Sequence, residues 1–265
     1  MSRQNLSIPE QIDKLQAQGR YWFSYSSLAS ISGKTEKAVE RAVSRLRHRG
    51  AIANPRKGFY VIVPPEYRSM ACLPATWFVD DMMKFTGEYY YVGLLSAAEL
   101  YGAAHHAPQQ FQVITEHPHR DVKCGRVWIR FFSKRHIKHT PVAKIKTRTG
   151  YMQVSISEVT ALDLIRYSFE LGGLSTVAAV IAELCESLKP RQLVKAASVY
   201  ELAVVQRLGF ILDKLEEQQL TAALSAWLKK QRPRVIPLCS DKPASSAKLD
   251  ERWHLKVNDE IDLEP

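Results

Sequence analysis

Residues 32–50 read "SGKTEKAVERAVSRLRHRG", with six Lys and Arg and one His in nineteen positions and Val, Ala and Leu recurring among them. On a helical wheel of about 100° per residue with Val39 at zero, Ala42, Val43 and Leu46 fall within about 60° of it, the spacing of a core-facing stripe. Lys37, Arg41, Ser44 and His48 gather on the far side, between about 140° and 200°, and Arg45 flanks them. The stretch predicts a helix from about Glu36 to Arg49, with Thr35 as N-cap and Gly50 just beyond the last turn.

A charged outer face can simply keep a helix soluble, so the flanks decide its meaning. Upstream, "SIPEQIDKLQAQG" (residues 7–19) reads as an amphipathic helix and "SSLASISG" (26–33) as a short one that stops at Gly33. Helix, short helix, tight turn and basic helix make a helix-turn-helix whose last helix enters a major groove. Downstream, "AIANPRKGFYVIVPP" (51–65) reads as two strands, Ala51 to Ala53 and Phe59 to Val63, joined by turn residues. This is a wing. The expected DNA-binding residues are therefore Lys34 and Thr35 at the start of the basic helix, Lys37, Arg41, Ser44, Arg45 and His48 along it, and Arg56 and Lys57 at the wing tip. Arg41, central on the outer face, is the expected base reader.

The charge distribution agrees. Of the formal net charge of +10, residues 1–65 carry +7, residues 66–160 carry +4 and residues 161–265 carry −1. A positive field concentrated in the first quarter of 265 residues suits a polyanion. Hydrophobic residues at 46% against charged residues at 24% are those of a folded chain. No apolar run is long enough to span a bilayer, and "MSRQNLSIPEQIDKL" lacks the apolar segment of a secretory signal, so the expectation is a cytoplasmic protein with no membrane partner. Cys72, Cys124, Cys185 and Cys239 are widely spaced, without a C-x-x-C pair, and read as ordinary half-buried thiols.

The proline-rich stretch near residues 64–74 marks a boundary. The expected fold class is α+β: a winged helix-turn-helix over residues 1–65, then a larger mixed α/β domain over 75–265 with a helical C-terminal part. Within the latter, "WFVDDMMKF" and "LLSAAELYGAA" read as helices, and "EYYYVG", "FQVIT", "GRVWIRFF" and "AKIKTRTGYMQVS" as strands, giving a mixed sheet over 75–156. Helices follow over 157–230, starting at Ser157 and then near 175–187, 191–209 and 213–230. A polar tail over 231–265 folds back as a short strand around Trp253 to Val257, where apolar residues alternate.

The sequence offers little chemistry. The pairs His105/His106, His117/His119 and His136/His139 lack converging carboxylate or thiolate partners, and His136 and His139 lie among Lys134, Arg135 and Lys138, which repel a cation. Those basic residues read as a solvated strip or an accessory phosphate contact. A metal-dependent nuclease would need acidic residues on the strands, whereas Glu116 and Asp121 fall between them. No phosphate-binding or nucleophile motif is present. The expectation is no enzyme, no cofactor and no metal. Asp163, within an apolar helix, is expected to bond backbone or an arginine such as Arg148 or Arg166, and the acidic end, Asp259, Glu260, Asp262 and Glu264, to be solvated.

The basic winged helix followed by "GFYVIVPPEYRSMACLPATWFVDDMM", "YYYVGLLSAAELYGAAHHAPQQFQV", "VSISEVTALDLIRY" and "VVQRLGFILDKL" resembles the AbiEi antitoxins of bacterial abortive-infection, type IV toxin-antitoxin systems. The resemblance implies a transcriptional autorepressor that binds inverted repeats in its own promoter on double-stranded DNA and counteracts a nucleotidyltransferase toxin; such repeats suit two copies related by symmetry, a dimer on the DNA. It supplies no catalytic residues to carry over. The alternative is a ligand-responsive winged-helix regulator without a toxin, its pocket lined by Tyr89, Tyr90, Tyr91 and Trp128.

Overall fold

The computed structural model describes residues 6–103 and 109–262. His105, His106 and Glu264 lie outside the described residues. The chain divides into two compact units, one of residues 1–91, 109–137 and 144–153, the other of 92–108, 138–143 and 154–265.

The first unit opens with α1 (Ile8–Ala17), started by a reciprocal cap. Ser7 Oγ accepts from the Glu10 N–H at 3.4 Å, and the Glu10 carboxylate accepts from the Ser7 N–H at 2.7 Å. Then come β1 (Trp22–Ser24), α2 (Tyr25–Ser32), α3 (Glu36–His48), β2 (Ile52–Arg56) and β3 (Phe59–Ile62). Gly33, at φ 60°, ends α2 in a left-handed turn that side chains with a β-carbon resist. β3 pairs antiparallel with both β1 and β2 in a three-stranded sheet of order β1-β3-β2. This is a winged helix-turn-helix, as the pattern of residues 7–65 predicts. β1 has no counterpart in that prediction, because three residues are too few for alternation to register.

The winged helix owns a core. Ile8, Ile12 and Leu15 of α1 and Leu28 of α2 bury against Val39, Ala42 and Val43 of α3, with Phe23, Ile52 and Ile62 from the sheet. Leu28 and Val39 are wholly enclosed, and truncating such a leucine to alanine costs about 2–5 kcal/mol.

The proline-rich connector forms two short 3₁₀ turns, Pro65–Met70 and Ala75–Trp77, before α4 (Val79–Thr86) and β4 (Tyr90–Val92). After α5 (Leu94–Leu100) come β5 (Phe111–Thr115), β6 (Val122–Cys124), β7 (Val127–Ser133), β8 (Val142–Lys146) and β9 (Tyr151–Ser155), and the six-stranded sheet has the order β6-β7-β5-β4-β9-β8. β5 and β7 run parallel, with Val113 opposite Phe131, and β6 returns antiparallel to β7 through a two-residue turn. β6 is the strand that the sequence conceals, since only Val122 of its three residues is buried.

In the second unit α6 (Ser157–Arg166) is buried almost throughout, and α7 (Leu174–Leu184), α8 (Pro190–Ala197), α9 (Leu202–Lys214) and α10 (Gln218–Lys230) complete a helical body. The single helix expected over 191–209 is two. The chain turns at residues 198–201, where Tyr200 is drawn inward and its hydroxyl donates to Asp163 Oδ1 at 2.7 Å. Asp163 thus accepts from a tyrosine that the sequence reading did not include. Arg166 pairs with Glu201, and Arg148 stacks over Trp77 at 4.7 Å.

The strand expected around Trp253 to Val257 forms over Leu255–Val257, with Trp253 in the turn before it. β10 (Ile236–Pro237), β11 (Lys248–Asp250) and β12 (Leu255–Val257) form a small sheet of order β10-β12-β11. Gln206 of α9 donates from Nε2 to the carbonyls of Arg234, Trp253 and His254 at 2.9–3.2 Å. Among the described residues no helix is long and apolar enough to cross a membrane.

Candidate nucleic-acid interface

The position of α3 follows from its two faces. Val39, Ala42 and Val43 are buried in the winged-helix core, which turns Lys37, Arg41, Ser44, Arg45 and His48 to solvent; all five are exposed. The hydroxyl of Tyr25, the first residue of α2, donates to the Glu36 carbonyl at 2.7 Å and fastens α2 to the first turn of α3. Lys34 and Thr35 are also exposed, and the Thr35 side chain makes no capping hydrogen bond, so the first turn of α3 offers unpaired N–H groups and a positive dipole end to solvent.

The outer face of α3 is grooved. Glu40, Arg41, Ser44 and Arg45 line one open groove, and Ser44, Arg47 and His48 a second. Arginine offers five N–H donors in a planar fork, which fits two acceptors on a guanine edge or a phosphate. Among the described residues Lys37, Arg41, Arg45 and His48 enter no salt bridge, so the positive charge of this face is not neutralised from within. Arg47 is exposed here as well, although the wheel puts it at the margin of the apolar stripe. Its place in the groove with Ser44 and His48 was the part of the face that the wheel missed.

The two wing-tip residues part company. Asn54 donates from its side-chain amide to the carbonyls of Arg56 at 2.5 Å and Phe59 at 2.8 Å, and Gly58 takes φ 80°, which together close the turn. Lys57 is exposed at its end. Arg56 instead turns inward: its guanidinium lies 5.2 Å from the centre of the Phe131 ring, and burial lowers its pKa while Glu88 partly offsets that effect. Buried Nε and Nη2 of Arg56 have no hydrogen-bond partner in the described structure.

His119 shares this cluster. It packs on Phe131 at 5.5 Å, and burial, followed by the charge of Arg56, lowers its pKa. His117 and His119 face Glu88 at 3.6 and 3.7 Å, beyond hydrogen-bond length, and not the adjacent Glu116. No group of three metal-ligating side chains converges among the described residues.

The carboxylates weighed for a nuclease have structural partners. Asp121 accepts from Trp128 Nε1 at 3.0 Å and from the Phe131 N–H at 3.2 Å, and Glu116 accepts from the His136 N–H at 3.2 Å. Tyr90, Tyr91 and Trp128 each have a structural partner. Tyr90 is buried and donates to Asp80 at 2.9 Å, Tyr91 is wholly enclosed and accepts from Lys134 at 3.4 Å, and Trp128 stacks under Lys123 at 4.0 Å. Lys134 is 4% exposed and so does not belong to a solvated basic strip, whereas Arg135 and His136 do face solvent.

Comparison with known proteins falls on the two parts separately. Residues 10–63, which hold the winged helix, match the family described as "Transcriptional regulator, AbiEi antitoxin". Residues 91–214 match the "AbiEi antitoxin C-terminal domain". No curated protein matches the chain. The crystal structure of the RV2827C protein from Mycobacterium tuberculosis is similar in fold, with a TM-score of 0.62 at 14% identity over 93% of this chain and 89% of that one. With one family model on the winged helix and the other on the region beyond the connector, the chain belongs to the AbiEi antitoxin family, whose members are antitoxin regulators.

Proposed function

We propose that this protein is the antitoxin of a bacterial type IV toxin-antitoxin system, that it binds inverted repeats in its own promoter as an autorepressor, and that it counteracts a nucleotidyltransferase toxin. The observation that carries the DNA-binding half is the exposed face of Lys37, Arg41, Ser44, Arg45 and His48 opposite the buried Val39 and Val43. In this reading residues 1–65 are the DNA-binding domain and 75–265 the antitoxin domain. The match of residues 91–214 to the antitoxin C-terminal domain supports the second half.

The mechanism follows from charge and shape. α3 enters the major groove with Arg41 towards base edges, while Lys34, Lys37 and Lys57 neutralise phosphates and fix the register. Each neutralised phosphate releases counterions, which makes binding fall steeply with salt, by about 0.9 in the logarithmic slope per contact. Two copies on an inverted repeat share the two-fold symmetry of the site.

The test joins two measurements on the full chain. The first is binding to a fragment of the promoter upstream of its own gene, against a scrambled fragment, over a range of salt. The second is rescue of growth when the adjacent reading frame is expressed, comparing the natural chain with Lys37→Ala/Arg41→Ala/Arg45→Ala. Loss of promoter binding with rescue retained is the expected pair. A harmless neighbouring gene, or equal binding to both fragments, overturns the proposal.

A further inference from the structure

Two of the four cysteines, 52 positions apart in sequence, meet in the first unit. The turn between β6 and β7 is pressed on the connector: Arg126 N–H donates to the Met70 carbonyl at 2.9 Å. Gly125 takes φ 58°, and a β-carbon there would overlap the Met70 carbonyl and lie 2.8 Å from the Ala71 carbonyl carbon. Cys72 follows Ala71 on one side of this contact and Cys124 precedes Gly125 on the other, so the two thiols are neighbours and each shifts the other's ionisation. Cys72 is fully enclosed, whereas Cys124 is partly open to solvent.

We infer that Cys124 and Cys72 form an oxidation site that takes a hydroperoxide, Cys124 as the attacking sulfur and Cys72 as the resolving one, and that its product is an intramolecular disulfide. The inference concerns the thiols alone and is independent of DNA binding.

The surroundings set the order of events. The neighbouring Cys72 thiol, then the backbone at Asn54 and the positive charge of Arg47, hold the Cys124 thiol below the usual value against the effect of burial. Asn54 lies where the β2–β3 register shifts. The other thiols are pushed the opposite way: Cys185 to about 12 and Cys239 to about 11, in both cases chiefly by burial. The thiolate is the nucleophile, so a hydroperoxide meets its most reactive sulfur at Cys124. The largest cause of the raised Cys72 value is the neighbouring Cys124 thiol. Oxidation of Cys124 removes that neighbouring charge and lessens the resistance of Cys72 to ionising, which leaves the effect of burial.

The steps balance. The Cys124 thiolate attacks one peroxide oxygen, the O–O bond breaks, and the departing oxygen takes a proton to leave as water or an alcohol. Cys124 is then a sulfenic acid. Cys72 loses its proton and attacks the Cys124 sulfur, and the hydroxide released takes that proton to leave as water. Two thiols have given two electrons to one hydroperoxide, and the disulfide joins the connector to the β6–β7 turn.

The experiment exposes the full reduced chain to hydrogen peroxide, alkylates the remaining thiols and maps the peptides by mass spectrometry. The expected product links Cys72 to Cys124, with Cys185 and Cys239 alkylated, and Cys124 is lost about ten-fold faster than Cys239. Cys72→Ser is expected to stop at a Cys124 sulfenic acid that dimedone traps, and Cys124→Ser to leave Cys72 reduced. Cys185→Ser/Cys239→Ser, which leaves the contact between connector and turn untouched, is expected to form the same bridge if the single variants fold poorly. A bridge that involves Cys185 or Cys239, or a Cys124 that oxidises no faster than Cys239, overturns the assignment.

Discussion

The indole of Trp253 lies directly on Gly209, so that a β-carbon at position 209 would overlap the ring. Gly209 is within α9, where alanine is ordinarily favoured over glycine by about 1 kcal/mol. Trp253 is wholly buried and its Nε1 donates to Asp213 on the same helix, so the ring cannot withdraw without losing that bond. Overpacking of about 1–3 kcal/mol exceeds the helix gain. Gly209→Ala is expected to lower the stability of the second unit in urea unfolding, and an unchanged or raised midpoint would show that the ring has room to move.

The outer face of α3 makes the sharpest prediction about recognition. Arg41→Ala should weaken binding to the promoter by about 1–3 kcal/mol and relax the preference at one base pair. Lys37→Ala should weaken binding to all sequences alike and reduce the salt slope by about 0.9. Measured isotherms at several salt concentrations separate the two, and a Lys37-like result for Arg41 would make it a phosphate contact.

Lys57 and Arg56 should behave differently although they are adjacent. Lys57 is exposed at the wing tip and Arg56 is turned onto Phe131. Lys57→Ala is expected to lower the salt slope of DNA binding, while Arg56→Met, which keeps the length of the stem against Phe131, is expected to leave that slope as it was. A reduced slope for Arg56→Met would place its guanidinium on DNA.

His119 gives the first unit a pH dependence of known sign. Burial and Arg56 lower its pKa from the ordinary value of about 6.5, so below that value the unfolded chain binds the proton that the folded chain resists. The stabilisation is complete above about 6.5 and is lost as pH falls below it towards the folded value. Unfolding midpoints at about pH 7.5 and about pH 5.5 should fall on acidification, and His119→Gln should flatten that fall. An equal fall in the variant would assign it to other groups.

Tyr200→Phe removes the 2.7 Å donor to Asp163, a carboxylate with no solvent exposure. Loss of a hydrogen bond to such a group costs about 1–3 kcal/mol. Thermal unfolding of the full chain tests it, and a shift smaller than about 2 °C, less than 1 kcal/mol for a protein of this size, would count against this bond as an anchor between α6 and the 198–201 turn.

Much of the proposed recognition surface can be read from residues 7–65, because an amphipathic period of 3.6 and a turn-forming "NPRKG" are local properties of the chain. The face of Lys37, Arg41, Ser44, Arg45 and His48 is exposed where the wheel puts it, since Val39 and Val43 opposite leave one way for α3 to pack. The strand Leu255–Val257 in the tail is legible for the same reason, in the alternation of Leu255 and Val257, although that reading starts the strand at Trp253, which lies in the turn before it. The direction of Arg56 depends on Phe131, far along the chain, and no local pattern encodes that partner. The same holds for the Tyr200 hydroxyl on Asp163, for β6 against the wing side of the first unit and for the meeting of Cys72 with Cys124. Local periodicity settles which face of an element is apolar; which distant side chain completes a buried charge or thiol is settled only when packing brings the two together.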